Sequence, residues 1–275
     1  MHISGRKSVT AHTKAIAAAN DYQMTRRNLL AASTVVISAL SSRAVLAAGG
    51  CPGGGTGPPP VCCFLRGTHL QTPSGHVFVE ALEIGDLVVT VSGAPKPIKW
   101  IGRVSVRRNS TGAWPKHAVP VKISPDAIKP GVPSVNVFVS PAHAVYIDNA
   151  LIPVGNLING TTIASDPDWG GEQLDYFHVE LDGHNVVFAE GLPAETLLGG
   201  AGRMSFDNYL DYEALYPAQL LTAYPLYAPM LSLNGGRQEL VSRLRSALSP
   251  WVDVRGPLDR VRDRLEVRAE EIEVF

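Results

Sequence analysis

Between residues 63 and 190 the apolar positions come in short runs rather than in turns of a helix. "HVFVEAL" (76–82), "DLVVTVS" (86–92) and "PIKWIGRVSV" (97–106) are rich in β-branched and aromatic residues. They are broken by "PSG", "EIGD" and "SGAPKP", which are turn sequences. "SVNVFVSPAHAVYIDNALIPVGNLING" (134–160) and "YFHVELDGHNVVFAEG" (176–191) continue the pattern. No stretch here sustains a period near 3.6, so the region is predicted to be a mostly β fold of short strands and hairpins. The tail differs. Leu240, Leu244 and Leu248 recur every fourth residue, and Leu258, Val261 and Leu265 follow Pro257. Both segments predict C-terminal amphipathic helices, suited to packing on the β region or to binding a partner.

The N-terminal part has another texture. Residues 1–23 are polar and aperiodic. From Met24, a possible second start, Arg26 and Arg27 precede an apolar run from Leu29 to Leu46 that closes in small residues. That order matches an export signal, and Thr25-Arg26-Arg27-Asn28-Leu29-Leu30 fits the twin-arginine type. The run is barely long enough to span a bilayer and contains serines and Arg43, so removal is expected rather than a stable membrane span. The expected destination is periplasmic or extracellular. Residues 49–61, "GGCPGGGTGPPPV", form a Gly/Pro linker that cannot bury apolar surface. The predicted organisation is an extension and signal over 1–48, a linker over 49–62, a β domain over 63–198 and a partly helical extension over 199–275.

Composition narrows the chemistry. Hydrophobic residues make up 45% of the 275, enough for a substantial core, and the formal net charge is −1. Without a basic excess, nucleic acid is a poor candidate partner. The three cysteines, Cys51, Cys62 and Cys63, crowd at the start of the β region. They make no disulfide framework for a domain of this size, and no histidine follows at zinc-ligand spacing. No metal or cofactor is expected.

A cysteine at the first position of a β domain, just after a linker, invites a catalytic reading of Cys63. A free cysteine is otherwise usually a small buried hydrophobe, and a nucleophilic one needs an activating base. Candidates for that base follow. Ser140 and His143 flank Pro141, which bars the segment from a central ladder and places both at a strand end or tight turn. His178 and His184 lie six residues apart and would share a strand face unless Asp182-Gly183 turns the chain. An ordinary role as a β-surface ring fits His178 better than it fits His143.

These blocks together resemble a family. Cys63-Phe64 with Gly67-Thr68, then "GHVFVEALEIGDLVVT" and "IKWIG", is similar to the opening of a Hint domain, the fold of Hedgehog autoprocessing domains and inteins. "SPAH" resembles its Thr-x-x-His block, with Ser140 and His143 in the Thr and His places. Tyr176 and His184 resemble its later Tyr/His block, and "AEGLPAE" resembles bacterial members. The resemblance spans Cys63 to Leu198. It implies attack of the Cys63 thiolate on the carbonyl of Cys62, an N-to-S acyl shift to a thioester. His143 would protonate the leaving nitrogen, Ser140 would hold the peptide, and His184 would act later or position the site. Water, a thiol or an amine would resolve the thioester in a single turnover. Asn185 is followed by Val186 rather than by a nucleophile, so ligation of the flanks is not expected. The alternative is a non-cleaving binding or structural module on the same scaffold. A peptidase acting on other proteins has little support, because its nucleophile need not open the domain.

Overall fold

The computed structural model describes residues 62–233, 236–248 and 255–273. The expected export signal and most of the expected linker therefore lie outside the described residues. Among the described residues thirteen strands follow one another. They are β1 (Phe64–Leu65), β2 (His69–Thr72), β3 (Gly75–Phe78), β4 (Leu87–Val89), β5 (Pro95–Arg107), β6 (Val121–Ile123) and β7 (Val137–Val139). After these come β8 (Ala144–Ile147), β9 (Ala150–Pro153), β10 (Ile163–Ser165), β11 (Gln173–Leu181), β12 (Val186–Ala189) and β13 (Leu192–Glu195). Among the described residues after β13 there are three α-helices: α1 (Tyr209–Leu215), α2 (Gly236–Leu248) and α3 (Pro257–Glu273). The mostly β class and both predicted C-terminal helices are present.

The strands form two antiparallel sheets. One runs β10-β6-β7-β1-β11-β5-β4 and the other β3-β2-β12-β13-β8-β9. The turn residues explain the hairpins of the second sheet. Asp148 and Asn149 (φ 49° and 61°) join β8 to β9, and Glu190 and Gly191 (φ 51° and 82°) join β12 to β13. Two consecutive positive φ values suit a two-residue turn between twisted strands, and Asp, Asn and Gly accept that geometry best. Glu190 does so because His69 holds it: the His69 amide and Nδ1 both contact its Oε1, at 2.8 and 2.6 Å.

The main core lies under these strands, with Leu70, Val88, Ile98, Ile123, Val139, Ile152, Val179 and Val187 all buried. Each such side chain contributes about 1.5–3 kcal/mol relative to exposure. Helix α3 adds Leu258, Val261 and Leu265 to the same core. Helix α2 differs: Leu240 and Leu244 are exposed, while Ser242 is buried against Asp259 of α3. Among the described residues no helix is long and apolar enough to cross a membrane.

Besides α3, two further segments after residue 198 are fastened to the β region. Arg203 forks onto Glu180 of β11, with Nε–Oε2 at 2.8 Å and Nη2–Oε1 at 2.9 Å, both side chains fully buried. Beside it, Phe206 lies over Gly102 of β5 so closely that a Cβ there would meet the ring at 2.6 Å. Further on, a strap of residues 224–233 follows the edge strand β9. Leu151 N–H donates to Pro229 O at 2.9 Å, and Leu231 N–H donates to Leu151 O at 2.8 Å. An otherwise open sheet edge is thereby covered.

Removing one partner of a buried pair leaves the other charge uncompensated. Lys99 Nζ, 3.6 Å from Glu180, softens that penalty. Arg203→Met is expected to cost about 3 kcal/mol in urea unfolding, and Glu180→Leu with Arg203→Met should recover more than half. A single-variant loss below about 1 kcal/mol, the range of an exposed pair, would contradict this anchoring.

Candidate functional site

Strand β1 is only two residues long, yet it runs through the middle of the seven-stranded sheet. Phe64 pairs with Val139 of β7 on one side and with Phe177 of β11 on the other. Carried back one residue, the same antiparallel registers put Cys63 opposite Ser140 and opposite His178. The hydrogen bonds confirm the first of these. Cys63 N–H donates to Ser140 Oγ at 2.8 Å, and Ser140 N–H donates to Cys63 O at 3.0 Å. Ser140 therefore holds both the amide and the carbonyl of Cys63.

Pro141 ends β7 after Ser140, as its missing N–H requires. The chain then makes a tight turn, closed by His143 N–H donating to Ser140 O at 3.1 Å, and β8 begins at Ala144. The turn carries His143 back over β1, with its ring centroid 4.3 Å from that of Phe64. The His178 ring lies 4.9 Å from the His143 ring. Gly183 (φ 111°) turns the chain between β11 and β12, so His184 reaches the same cluster from beyond the turn. Its Nε2 is 3.4 Å from Oε2 of Glu195, whose Oε1 accepts the Ala144 N–H at 2.9 Å. Cys63, Ser140 and His143 are fully buried, and His178 and the His184 ring are nearly so. Ser140, His143 and His178, all distant in sequence from Cys63, thus surround the peptide that precedes it, and His184 stands behind them against Glu195.

The sequence model of the Hint domain matches residues 62–201, just over half of the chain. The chain belongs to the Hint domain family. Among solved structures, the Hint region is similar to a bacterial intein-like domain from Clostridium thermocellum, at 14% identity and a TM-score of 0.37. That alignment covers 50% of this chain and 99% of the other. The gp41-1 intein aligns at 14% identity and a TM-score of 0.35, over 48% of this chain and 96% of the intein. No curated protein matches the chain. Membership places the chain among self-processing domains of the Hint and intein kind.

Burial governs the electrostatics of the Hint site. It pushes the Cys63 thiol well above its ordinary pKa, although the nearby backbone of Cys62 works against it. Burial likewise drives His143 well below the usual imidazole value, and the neighbouring His178 and His184 add to that. His178 is lowered to about 4 by burial, against the pull of the Glu195 charge. The carbonyl of Cys62 favours protonation of both rings, so it faces both. No nitrogen of either ring makes a well-aligned hydrogen bond among the described residues. At neutral pH the site therefore holds a neutral thiol beside two neutral imidazoles. Tyr176 belongs to the same surroundings: burial and the proximity of Cys63 raise its pKa, and its hydroxyl donates to Ala118 O at 2.8 Å.

The structure thus gathers Cys63, Ser140, His143 and His184, and adds two residues to which the sequence assigned no particular role. His178 looked like an ordinary strand ring, but the β1/β11 register sets it beside Cys63. Glu195 sat in the "AEGLPAE" similarity without a role. Cys62 is disulfide-bonded, and its Sγ is 3.5 Å from Ala142 O. Among the described residues no group of His, Cys, Asp and Glu could hold a metal ion.

The depressed imidazoles link stability to pH. Folded, His178 stays neutral down to about pH 4, whereas the unfolded chain takes up that proton near 6.5. Its contribution is fully present above 6.5 and is lost as pH falls towards 4, on the order of 3 kcal/mol in all. His143 acts in the same direction. Urea unfolding across that window should show stability falling with pH, and His178→Gln should flatten the slope. An unchanged slope in the variant would contradict a buried neutral His178.

Proposed function

We propose that this Hint domain cleaves its own backbone between Cys62 and Cys63 and does not ligate the flanks. The observation that carries the reading is the placement of the peptide joining them. Its N–H rests on Ser140 Oγ at 2.8 Å, its carbonyl faces His143 and His178, and Cys63 supplies the thiol.

The chemistry is an N-to-S acyl shift. Cys63 Sγ attacks the carbonyl carbon of Cys62, an S–C bond forms, and the C–N bond breaks. The thiol proton ends on the departing nitrogen, which becomes the amine of Cys63. Amide nitrogen leaves poorly as an anion, so the proton must arrive in the transition state. A neutral imidazole can take the thiol proton and pass it on, and His143 is the carrier in this reading. His178 faces the same carbonyl and stabilises charge growing on its oxygen. Ser140 keeps the nitrogen in place. The thioester then yields to water, a thiol or an amine. No cofactor or metal enters the scheme.

The absence of ligation has its own support. Splicing requires a side-chain amide free to attack its own backbone, and Asn185 is committed elsewhere. Its Oδ1 accepts from Lys96 Nζ at 2.9 Å, and its Nδ2 donates to Gly183 O at 2.7 Å. The alternative of a non-cleaving module draws on one observation, the full burial of Cys63, which leaves an outside acceptor no open path. We also propose that the segment with Arg26 and Arg27 directs twin-arginine export. Replacing both by lysine should then retain the protein inside the cell, and unchanged export would exclude that route.

Incubation of the full chain with dithiothreitol should release a fragment beginning at Cys63, and Cys63→Ala should remain whole. His143→Ala should slow release by about 10²–10⁴-fold, the usual contribution of a positioned acid–base group. If Cys63→Ala releases the same fragment, or if wild type and both variants stay equally intact, the self-cleavage reading is lost.

A further inference from the structure

We propose that the backbone N–H of Tyr227 is a positioning group of the processing site, so that the strap over residues 224–233 belongs to the working unit. The inference rests on the self-cleavage reading. It begins with one hydrogen bond: Tyr227 N–H donates to Nδ1 of His184 at 3.0 Å. A ring nitrogen that accepts an N–H presents its lone pair and carries no proton. While this bond stands, the imidazole proton can sit only on Nε2. That nitrogen faces Oε2 of Glu195 at 3.4 Å, an electrostatic contact without the alignment of a hydrogen bond. The carboxylate favours a proton there and disfavours a lone pair.

Glu195 passes the constraint on. Its Oε1 accepts the N–H of Ala144, the residue directly after His143, and its charge acts on His178. The main chain of His143 is fixed from its other side as well, since its carbonyl accepts the Val154 N–H at 2.9 Å. A chain of contacts therefore runs from the strap through His184 and Glu195 to the turn that aims His143 at the Cys62 carbonyl. Glu195 and His184 are positioning residues in this arrangement. With the opposite tautomer, Nδ1–H would oppose the Tyr227 N–H and the Nε2 lone pair would oppose the carboxylate. Both contacts would turn repulsive, and the Glu195 carboxylate would lose its reason to stay.

Three features show that the strap is built to stay in place. It pairs with β9 on both sides of Leu151, and Leu233 N–H donates to Asn156 Oδ1 at 2.8 Å. Its approach is pinned upstream by Arg203 on Glu180, two residues along β11 from His178. The family match ends at residue 201, before the strap begins. The Tyr227 ring, stacked edge-on against Tyr146, is partly exposed and plays no part in the bond to His184.

The test uses the full chain, with Tyr227→Pro, which has no N–H, compared with Tyr227→Ala, which keeps it. Two quantities are read: the rate of thiol-induced release at Cys63, and the tautomer of His184 from ¹⁵N ring shifts and couplings. Wild type and Tyr227→Ala should show the Nε2–H form. Tyr227→Pro should show a mixture and release at least about tenfold more slowly than Tyr227→Ala, as misplacement of a reacting group predicts. A wild-type His184 with its proton on Nδ1, or on both nitrogens at neutral pH, overturns the inference even if the proline variant fails to fold. A folded Tyr227→Pro that matches Tyr227→Ala in rate overturns it too. If wild type releases nothing under thiol, the self-cleavage reading falls, while the tautomer still decides the role of the strap.

Discussion

The structure depends on one constraint: the peptide before Cys63 is led into the middle of a sheet by a strand two residues long. A strand that short cannot hold itself. It is fixed by β7 and β11, which supply Ser140 and His178 as its neighbours in register. Because antiparallel pairing sets neighbours directly opposite, a single register decides which side chains meet Cys63. A slip of one residue would replace Ser140 by Val139 or Pro141 and would leave the Cys63 amide without its acceptor.

Burial follows from that placement, and the proton chemistry follows from burial. A thiolate beside an imidazolium would be costly in this interior, since separated charges lose far more hydration there than their attraction returns. Thiol and rings stay neutral at rest, and in the proposed reaction charge has to appear only as bonds change. The groups that can receive it are already in position: the Ser140 hydroxyl at the nitrogen and two imidazoles at the carbonyl. The site also has a wall. Segments after residue 198 cover β5, β9 and β11, and Gly102 is required because the Phe206 ring occupies the space a side chain would need.

Much of this was legible in the chain. Alternating apolar runs and turn sequences gave the β class, and Pro141 marked the turn that carries Ser140 and His143. The spacing of Leu258, Val261 and Leu265 gave the helix that enters the core. What stayed hidden depends on pairing between distant segments. His178 follows Tyr176 and Phe177 as one more strand residue, and only the β1/β11 register makes it a neighbour of Cys63. Glu195 reads as the end of a hairpin until Ala144 and His184 converge on it. The outward face of Leu240 and Leu244 was likewise invisible, because periodicity shows that a stripe exists and not what it faces. The burial of Arg203 had no local signal either, since its partner Glu180 lies on another element.

The central claim is that the bond between Cys62 and Cys63 passes through a thioester. Neutral hydroxylamine tests it most directly, because it attacks thioesters and, unlike a thiol, leaves the disulfide of Cys62 unreduced. The measurement is the mass of the peptide that leaves. The expected result is a product ending in Cys62 as a hydroxamate, together with a partner that starts at Cys63. A chain that stays intact, or a product ending in Cys62 as an ordinary carboxylate at unchanged yield, would contradict it.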